Sequence, residues 1–170
     1  GEMQQAFADH DRAIEADPNN AAAWGSRGSL NLVTSRFAQA TKDLDRAIEL
    51  DPDNETAYIN RGLVYLFQKQ FDRAIPEFDQ ALRVNEDSAH AHLRRGLTYF
   101  YMKQADLALS DLDQAIRLDP DYVDAYKIRG AIRAAKGHRE QAISDFRQIL
   151  RISPGEEHAT KALQDLGATP

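Results

Sequence analysis

One interval governs this sequence. The segments Arg46-Ala47-Ile48-Glu49-Leu50-Asp51-Pro52 and Gln114-Ala115-Ile116-Arg117-Leu118-Asp119-Pro120 lie 68 positions apart, and Gln80-Ala81-Leu82-Arg83-Val84-Asn85 stands midway, so the pattern returns at every thirty-fourth position. An Arg-Gly pair recurs in the same register at Arg27-Gly28, Arg61-Gly62, Arg95-Gly96 and Arg129-Gly130, as does an alanine at Ala40, Ala74, Ala108 and Ala142. Self-similarity at this spacing implies a stack of like units, each burying its apolar face on its neighbours. Four full units occupy 21–54, 55–88, 89–122 and 123–156, with a half unit over 1–20 and a capping helix over 157–170, all within one expected domain spanning 1–170.

Each unit reads as two amphipathic helices. Tyr58, Gly62 and Tyr65 follow i, i+4, i+7 spacing on the first, and Ile75, Phe78, Ala81 and Leu82 trace a stripe on the second. The link between them, Gln68-Lys69-Gln70-Phe71, is short and polar, as an antiparallel pair requires. Second helices are expected to stop at Asp17-Pro18, Asp51-Pro52, Asp119-Pro120 and Ser153-Pro154, because proline disfavours helical geometry in the residue before it. A glycine inside a helix costs about 1 kcal/mol relative to alanine. Its recurrence in register points to close helix contact.

The recurring arginine lies on the stripe that faces neighbouring helices, so it needs a counter-charge. Asp11, Asp45, Asp79 and Asp113 stand sixteen positions before Arg27, Arg61, Arg95 and Arg129 respectively. Both series end together: the next aspartate position holds Arg147, and the matching arginine position beyond it holds Leu163. Pairing within a unit, eighteen positions forward, sets Arg129 against Arg147 and fits worse. The expectation is therefore a ladder of bridges from each second helix to the following first helix, fixing the register between repeats. On this reading Asp79→Ala costs well beyond the roughly 1 kcal/mol of a surface pair. The functional alternative is a row of arginines that binds an acidic partner.

Length, register and residue types together resemble the tetratricopeptide repeat, whose pattern is an aromatic, Leu-Gly, an aromatic, then Ala, Phe, Ala and Pro at fixed offsets. The second unit offers Tyr58, Gly62, Tyr65, Ala74, Phe78 and Ala81, and the fourth Tyr126, Gly130, Ala142, Phe146 and Pro154. Departures are Asn31, His92, Arg133 and Glu86, and the arginine that replaces leucine before each glycine. The Arg-Gly and Asp-Leu-Asp flavour is similar to bacterial arrays of the family. The resemblance implies an all-α fold, a right-handed α-solenoid of stacked helix-turn-helix repeats, with a concave groove lined by first helices that holds peptides or partner proteins. It places Ile59, Leu63, Phe67, His90, Leu97, Tyr101 and Lys127 on that face, with Phe67 and Tyr101 as the exposed anchors. The chaperone-tail carboxylate clamp known in the family would need lysines where this chain has Gly25 and His90. Of its five positions only Asn60 and Arg94 agree, leaving these two to bond an extended peptide backbone.

Other classes of function find little support. With 21 basic and 27 acidic residues, the formal charge of −6 argues against nucleic-acid binding. No run reaches the ~18 apolar residues of a membrane span, Gly1 to Gln5 do not resemble a leader, and 42% apolar with 28% charged residues suits a soluble chain, cytoplasmic or periplasmic. Without cysteine there is no thiolate nucleophile, disulfide or cysteine metal site, and His90 and His92, two apart on a helix, point to different faces. No phosphate-cradling glycine loop or nucleophile elbow occurs, so no enzyme, metal or cofactor is expected. The first expectation is an adaptor that binds a partner peptide or helix in an apolar groove. The alternative is self-assembly, a homo-oligomer formed through the half unit at Met3 to Ile14, whose Phe7, Ala13 and Ile14 face no first helix of their own.

Overall fold

The computed structural model describes residues 1–169, and among them there are ten α-helices and no strand. The chain forms two compact units, residues 1–86 and 87–170. The first holds α1 (Glu2–Ala16), α2 (Ala21–Val33), α3 (Phe37–Leu50), α4 (Glu55–Phe67) and α5 (Phe71–Val84). The second holds α6 (Ala89–Tyr101), α7 (Ala105–Leu118), α8 (Val123–Ala135), α9 (Arg139–Ile152) and α10 (Glu157–Asp165). No helix of the described residues is long and apolar enough to cross a membrane.

The boundaries have local causes. First helices begin at 21, 55, 89 and 123, one period apart. Three of them are capped by the preceding side chain: Asn20 and Asn54 Oδ1 and Ser88 Oγ accept from the amides of Ala23, Ala57 and Ala91 at 3.0, 3.0 and 3.1 Å. Each first helix ends with a residue in the left-handed region, Ser35 (φ 58°), Lys69 (φ 59°), Lys103 (φ 61°) and Gly137 (φ 79°). The amide one residue further on then reaches back to a carbonyl, as in Gln70 N to Tyr65 O and His138 N to Arg133 O, both 2.8 Å. Three of these four turns thus do with serine or lysine what glycine does more easily.

Second helices stop at residues of extended backbone: Asp17, Asp51, Asp119 and Ser153, with φ between −143° and −130°. Asn85 adopts the same conformation at φ −141° although Glu86, not proline, follows it. Proline is therefore not required for the stop; Asn85 Nδ2 donates to Glu55 Oε2 at 2.8 Å and ties the α5 end to the start of α4.

The core repeats as well. In the first unit Ala40, Leu44, Ala47, Ala74, Phe78 and Ala81 are buried on the second helices, and Ala57 and Val64 on α4. In the second unit Leu93, Ala108, Leu112, Ala115, Ala125 and Ile132 form one cluster, and Tyr126, Ala142, Phe146, Ile149, Ala159 and Leu163 another, so α10 covers α9. The glycines make these contacts possible. A Cβ on Gly62 would lie 2.6 Å from Phe78 Cε1, and one on Gly28 2.8 Å from Leu44 Cγ.

Candidate functional site

The arginines before those glycines stand at the centre of the recurring side-chain bonds between helices. Each sends Nε and Nη2 to a carboxylate sixteen positions ahead on its own repeat's second helix: Arg27 to Asp43 (2.9 and 2.7 Å), Arg61 to Glu77 (2.9 and 2.8 Å), Arg95 to Asp111 (2.8 and 2.7 Å) and Arg129 to Asp145 (3.2 and 2.6 Å). Nη1 takes the aspartate sixteen positions behind, Asp11 for Arg27 and Asp45 for Arg61 at 2.7 Å, and Asp113 for Arg129 at 2.6 Å. One planar guanidinium so clamps three helices, which a lysine's point charge cannot do. In the expected series of four, Asp79 belongs to the first unit and Arg95 to the second.

The within-repeat partner adds to the sequence reading, which weighed a partner eighteen positions forward and rejected it. The partner stands two positions nearer, at Asp43, Glu77, Asp111 and Asp145. The two bridges also differ in weight: the side chains of Asp43, Asp111 and Asp145 are only 2–6% exposed, whereas Asp11, Asp45 and Asp113 are 47–54% exposed. The larger electrostatic stake therefore lies inside each repeat, not between repeats.

Three departures from the family pattern, Asn31, His92 and Arg133, now have a cause. Each buried aspartate holds a third donor: Asn31 Nδ2 on Asp43 at 2.9 Å, His92 Nδ1 beside Asp111 at 3.0 Å, and Arg133 Nη1 on Asp145 at 2.8 Å. Where the carboxylate is the longer Glu77, the matching residue stays aromatic, and Tyr65 OH instead accepts from Arg73 Nη2 at 2.9 Å. Aromatic rings lie under the arginines elsewhere, with Arg27, Arg61 and Arg129 at 4.8, 5.7 and 5.3 Å from the ring centroids of Trp24, Tyr58 and Tyr126. Burial by itself pushes the Asp111 carboxyl up, but the bonds from Arg95 and His92 outweigh it and hold the group below its ordinary value. Paired carboxylates likewise hold the Arg27, Arg61 and Arg129 guanidiniums above theirs, against the opposing effect of burial.

The expected peptide-contacting residues fare unequally. Ile59 and Leu63 are buried, and Leu97 is half-buried, so none of these aliphatic side chains stands clear of the surface. Asn60 Nδ2 donates to Ser29 Oγ at 2.7 Å, and that hydroxyl in turn bonds Gly25 O. Lys127 pairs with Glu156 at 3.0 Å, and Arg94 Nε donates to His90 Nε2 at 3.0 Å on an exposed helix turn. Phe67 and Tyr101, by contrast, are 59% and 53% exposed. Val33, at 75%, and Phe100 join them; the repeat register puts both on the expected face, Val33 at the position of Phe67, although neither was among the expected contacts. In the first unit the Phe67 ring lies 6.4 Å from that of Phe37, and in the second Phe100 and Tyr101 are 5.8 Å apart.

At the N-terminal half unit, α1 packs on α2 with Ile14 buried. Phe7 is half-buried beneath the Arg36 guanidinium at 4.7 Å, and Met3 is exposed.

Helix pairs recurring at one fixed period, closed by a left-handed turn and keyed by a glycine under a bulky second-helix side chain, define a helical-repeat protein of the kind that serves as an interaction scaffold. The chain belongs to the tetratricopeptide repeat family. Family models described as TPR or tetratricopeptide repeat match residues 35–69, 59–104 and 89–122. No curated protein matches the sequence. Among solved structures, MamA is 25% identical over 95% of this chain and 92% of its own, with a TM-score of 0.79. YrrB, described as a TPR protein with an unusual peptide-binding site, is 26% identical over 96% of this chain and 84% of its own, with a TM-score of 0.75. The first TPR of Spaghetti (RPAP3), bound to an HSP90 peptide, is 27% identical over 69% of this chain and 93% of its own, with a TM-score of 0.65.

Proposed function

We propose that the chain is a non-enzymatic adaptor that holds linear segments of partner proteins against the C-terminal ends of the first helices within each of its units. One observation carries this. Of the large apolar side chains exposed among the described residues, Val33, Phe67, Phe100 and Tyr101 occupy the last two positions of a first helix, while only Met3, Val84 and Leu107 lie elsewhere. Aromatic side chains left in water at equivalent repeat positions are the anchors from which binding hot spots are made. The peptide-binding descriptions of YrrB and of the Spaghetti repeat support the same use of the fold. Arg94 and Leu97 are secondary contacts on this reading; Asn60, Leu63 and Ile59 support the surface from below.

Selection of random peptides displayed on phage, with the whole chain as bait, tests the proposal. Enriched peptides are expected to lose at least tenfold in affinity on Phe67→Asp or Tyr101→Asp, with the melting temperature retained. Unchanged affinity in both variants would overturn it. A second reading, self-association through α1, is favoured by the exposure of Met3 on that helix.

A further inference from the structure

Within the second unit, a recess of about 210 Å³ opens between the C-terminal ends of α6 and α8 and the start of α7. Its walls are Phe100, Ala105, Ile132 and Ala135, and its rim is formed by Lys103 and Lys136. No carboxylate lines it. The volume is below that of a typical small-molecule site, and matches one bulky side chain better than a whole ligand.

The rim is charged in a way that packing does not account for. Lys103 makes no ion pair among the described residues, and it occupies the left-handed position (φ 61°) that the next repeat gives to Gly137. Among the described residues Lys136 pairs only with Asp106, whose side chain is almost fully exposed, and an exposed pair of this kind is exchanged at little cost. This edge contrasts with the opposite edge of the same unit, where Asp119, Asp121, Asp124, Glu156 and Glu157 gather around the α7–α8 and α9–α10 turns. In a chain of charge −6, two ammonium groups flanking an apolar hollow stand out. They complement a partner with an apolar side chain set among carboxylates.

We infer that this recess receives one leucine, methionine or phenylalanine side chain of an acidic linear segment, with the segment's flanking carboxylates on Lys103 and Lys136. The inference rests on the adaptor reading above and specifies the chemistry of the segment. It assigns the contact to residues outside the carboxylate-clamp positions, which here hold Gly25, Ser29, Asn60, His90 and Arg94.

Methyl-resolved NMR of the full chain, labelled at isoleucine and alanine, tests it directly. The probe is the synthetic peptide acetyl-Glu-Asp-Glu-Leu-Asp-Glu-amide. Two controls replace the leucine by alanine, or every acidic residue by glutamine. The acidic leucine peptide is expected to shift the Ile132 and Ala135 methyls saturably, and each control to bind at least tenfold more weakly. Lys103→Glu should weaken the leucine peptide at least tenfold, and Asp106→Ala, which releases Lys136, should tighten it. Unmoved Ile132 and Ala135 methyls, or equal shifts from the glutamine control, would overturn the assignment. Failure here with peptides still selected through Phe67 and Tyr101 removes the recess and leaves the adaptor. A null phage selection with the Ile132 methyl responding to the acidic leucine peptide removes Phe67 and Tyr101 as anchors and leaves the recess.

Discussion

Arg129 and its two aspartates hold the same charge pair in two settings, which makes them the sharpest residue-level comparison in the molecule. Asp145 is buried between Arg129 and Arg133, whereas Asp113, the other partner of Arg129, is half in water. Asp145→Ala leaves two guanidiniums without their buried counter-charge and is expected to cost about 3–5 kcal/mol. Asp113→Ala should cost about 1 kcal/mol or less, after discounting for its exposure. Urea unfolding of the two variants measures both, and equal losses would show that burial does not set the weight of these bridges. Asp111 gives the pH dependence. Its pKa is lowered in the folded state, so its contribution is complete above the ordinary carboxylate value near 4 and is lost as pH falls through the depressed folded value. The stability gap between the native chain and Asp111→Asn is therefore expected to be widest above about pH 4 and to close below it, as followed by urea titration across that range. The sequence revealed the arginine series and its outer aspartates because both recur at one offset. It hid the inner partners because one of them is Glu77, and because their third donors, Asn31, His92 and Arg133, are three different residue types at two different repeat positions.

Helix pairs are locked by how closely they approach, and the approach varies between repeats. Gly62 lies under the fully buried Phe78 ring with a would-be Cβ contact of 2.6 Å, while the nearest atom to Gly96 is Asp111 Cβ at 3.2 Å. Alanine gains about 1 kcal/mol of helix propensity at either site. Overpacking costs about 1–3 kcal/mol, and more where a rigid ring cannot yield. Gly62→Ala is accordingly expected to lower the melting temperature, and Gly96→Ala to lower it less or leave it unchanged; the reverse order in thermal melts would contradict the packing account. Periodicity and the Asp-Pro dipeptides made helix existence and the second-helix stops readable. The stop at Asn85, without a proline, and the left-handed turns at Ser35, Lys69 and Lys103 were not readable, because none carries the residue that normally marks such a conformation.

For the whole molecule, the open question is what meets the exposed apolar side chains. If a partner segment covers them, the isolated chain is expected to run at the monomer mass of 19.1 kDa in light scattering at all concentrations. A mass that grows with concentration and falls on Met3→Asp would place self-association through α1 first instead. The sequence by itself determined the repeat length, the all-helical class, the family and the arginine series, since these rest on periodicity, and periodicity is written along the chain. The burial of the aliphatic side chains beside the exposed aromatics was decided only in three dimensions. Leu63 and Phe67 lie one helical turn apart on α4 and were both expected on the binding face, yet the first is buried and the second, the last residue of the helix, stands in water. The recess edged by Lys103 and Lys136 was decided in the same way: residues more than thirty positions apart become neighbours when α6 and α8 pack side by side, and no local pattern encodes the space left between them.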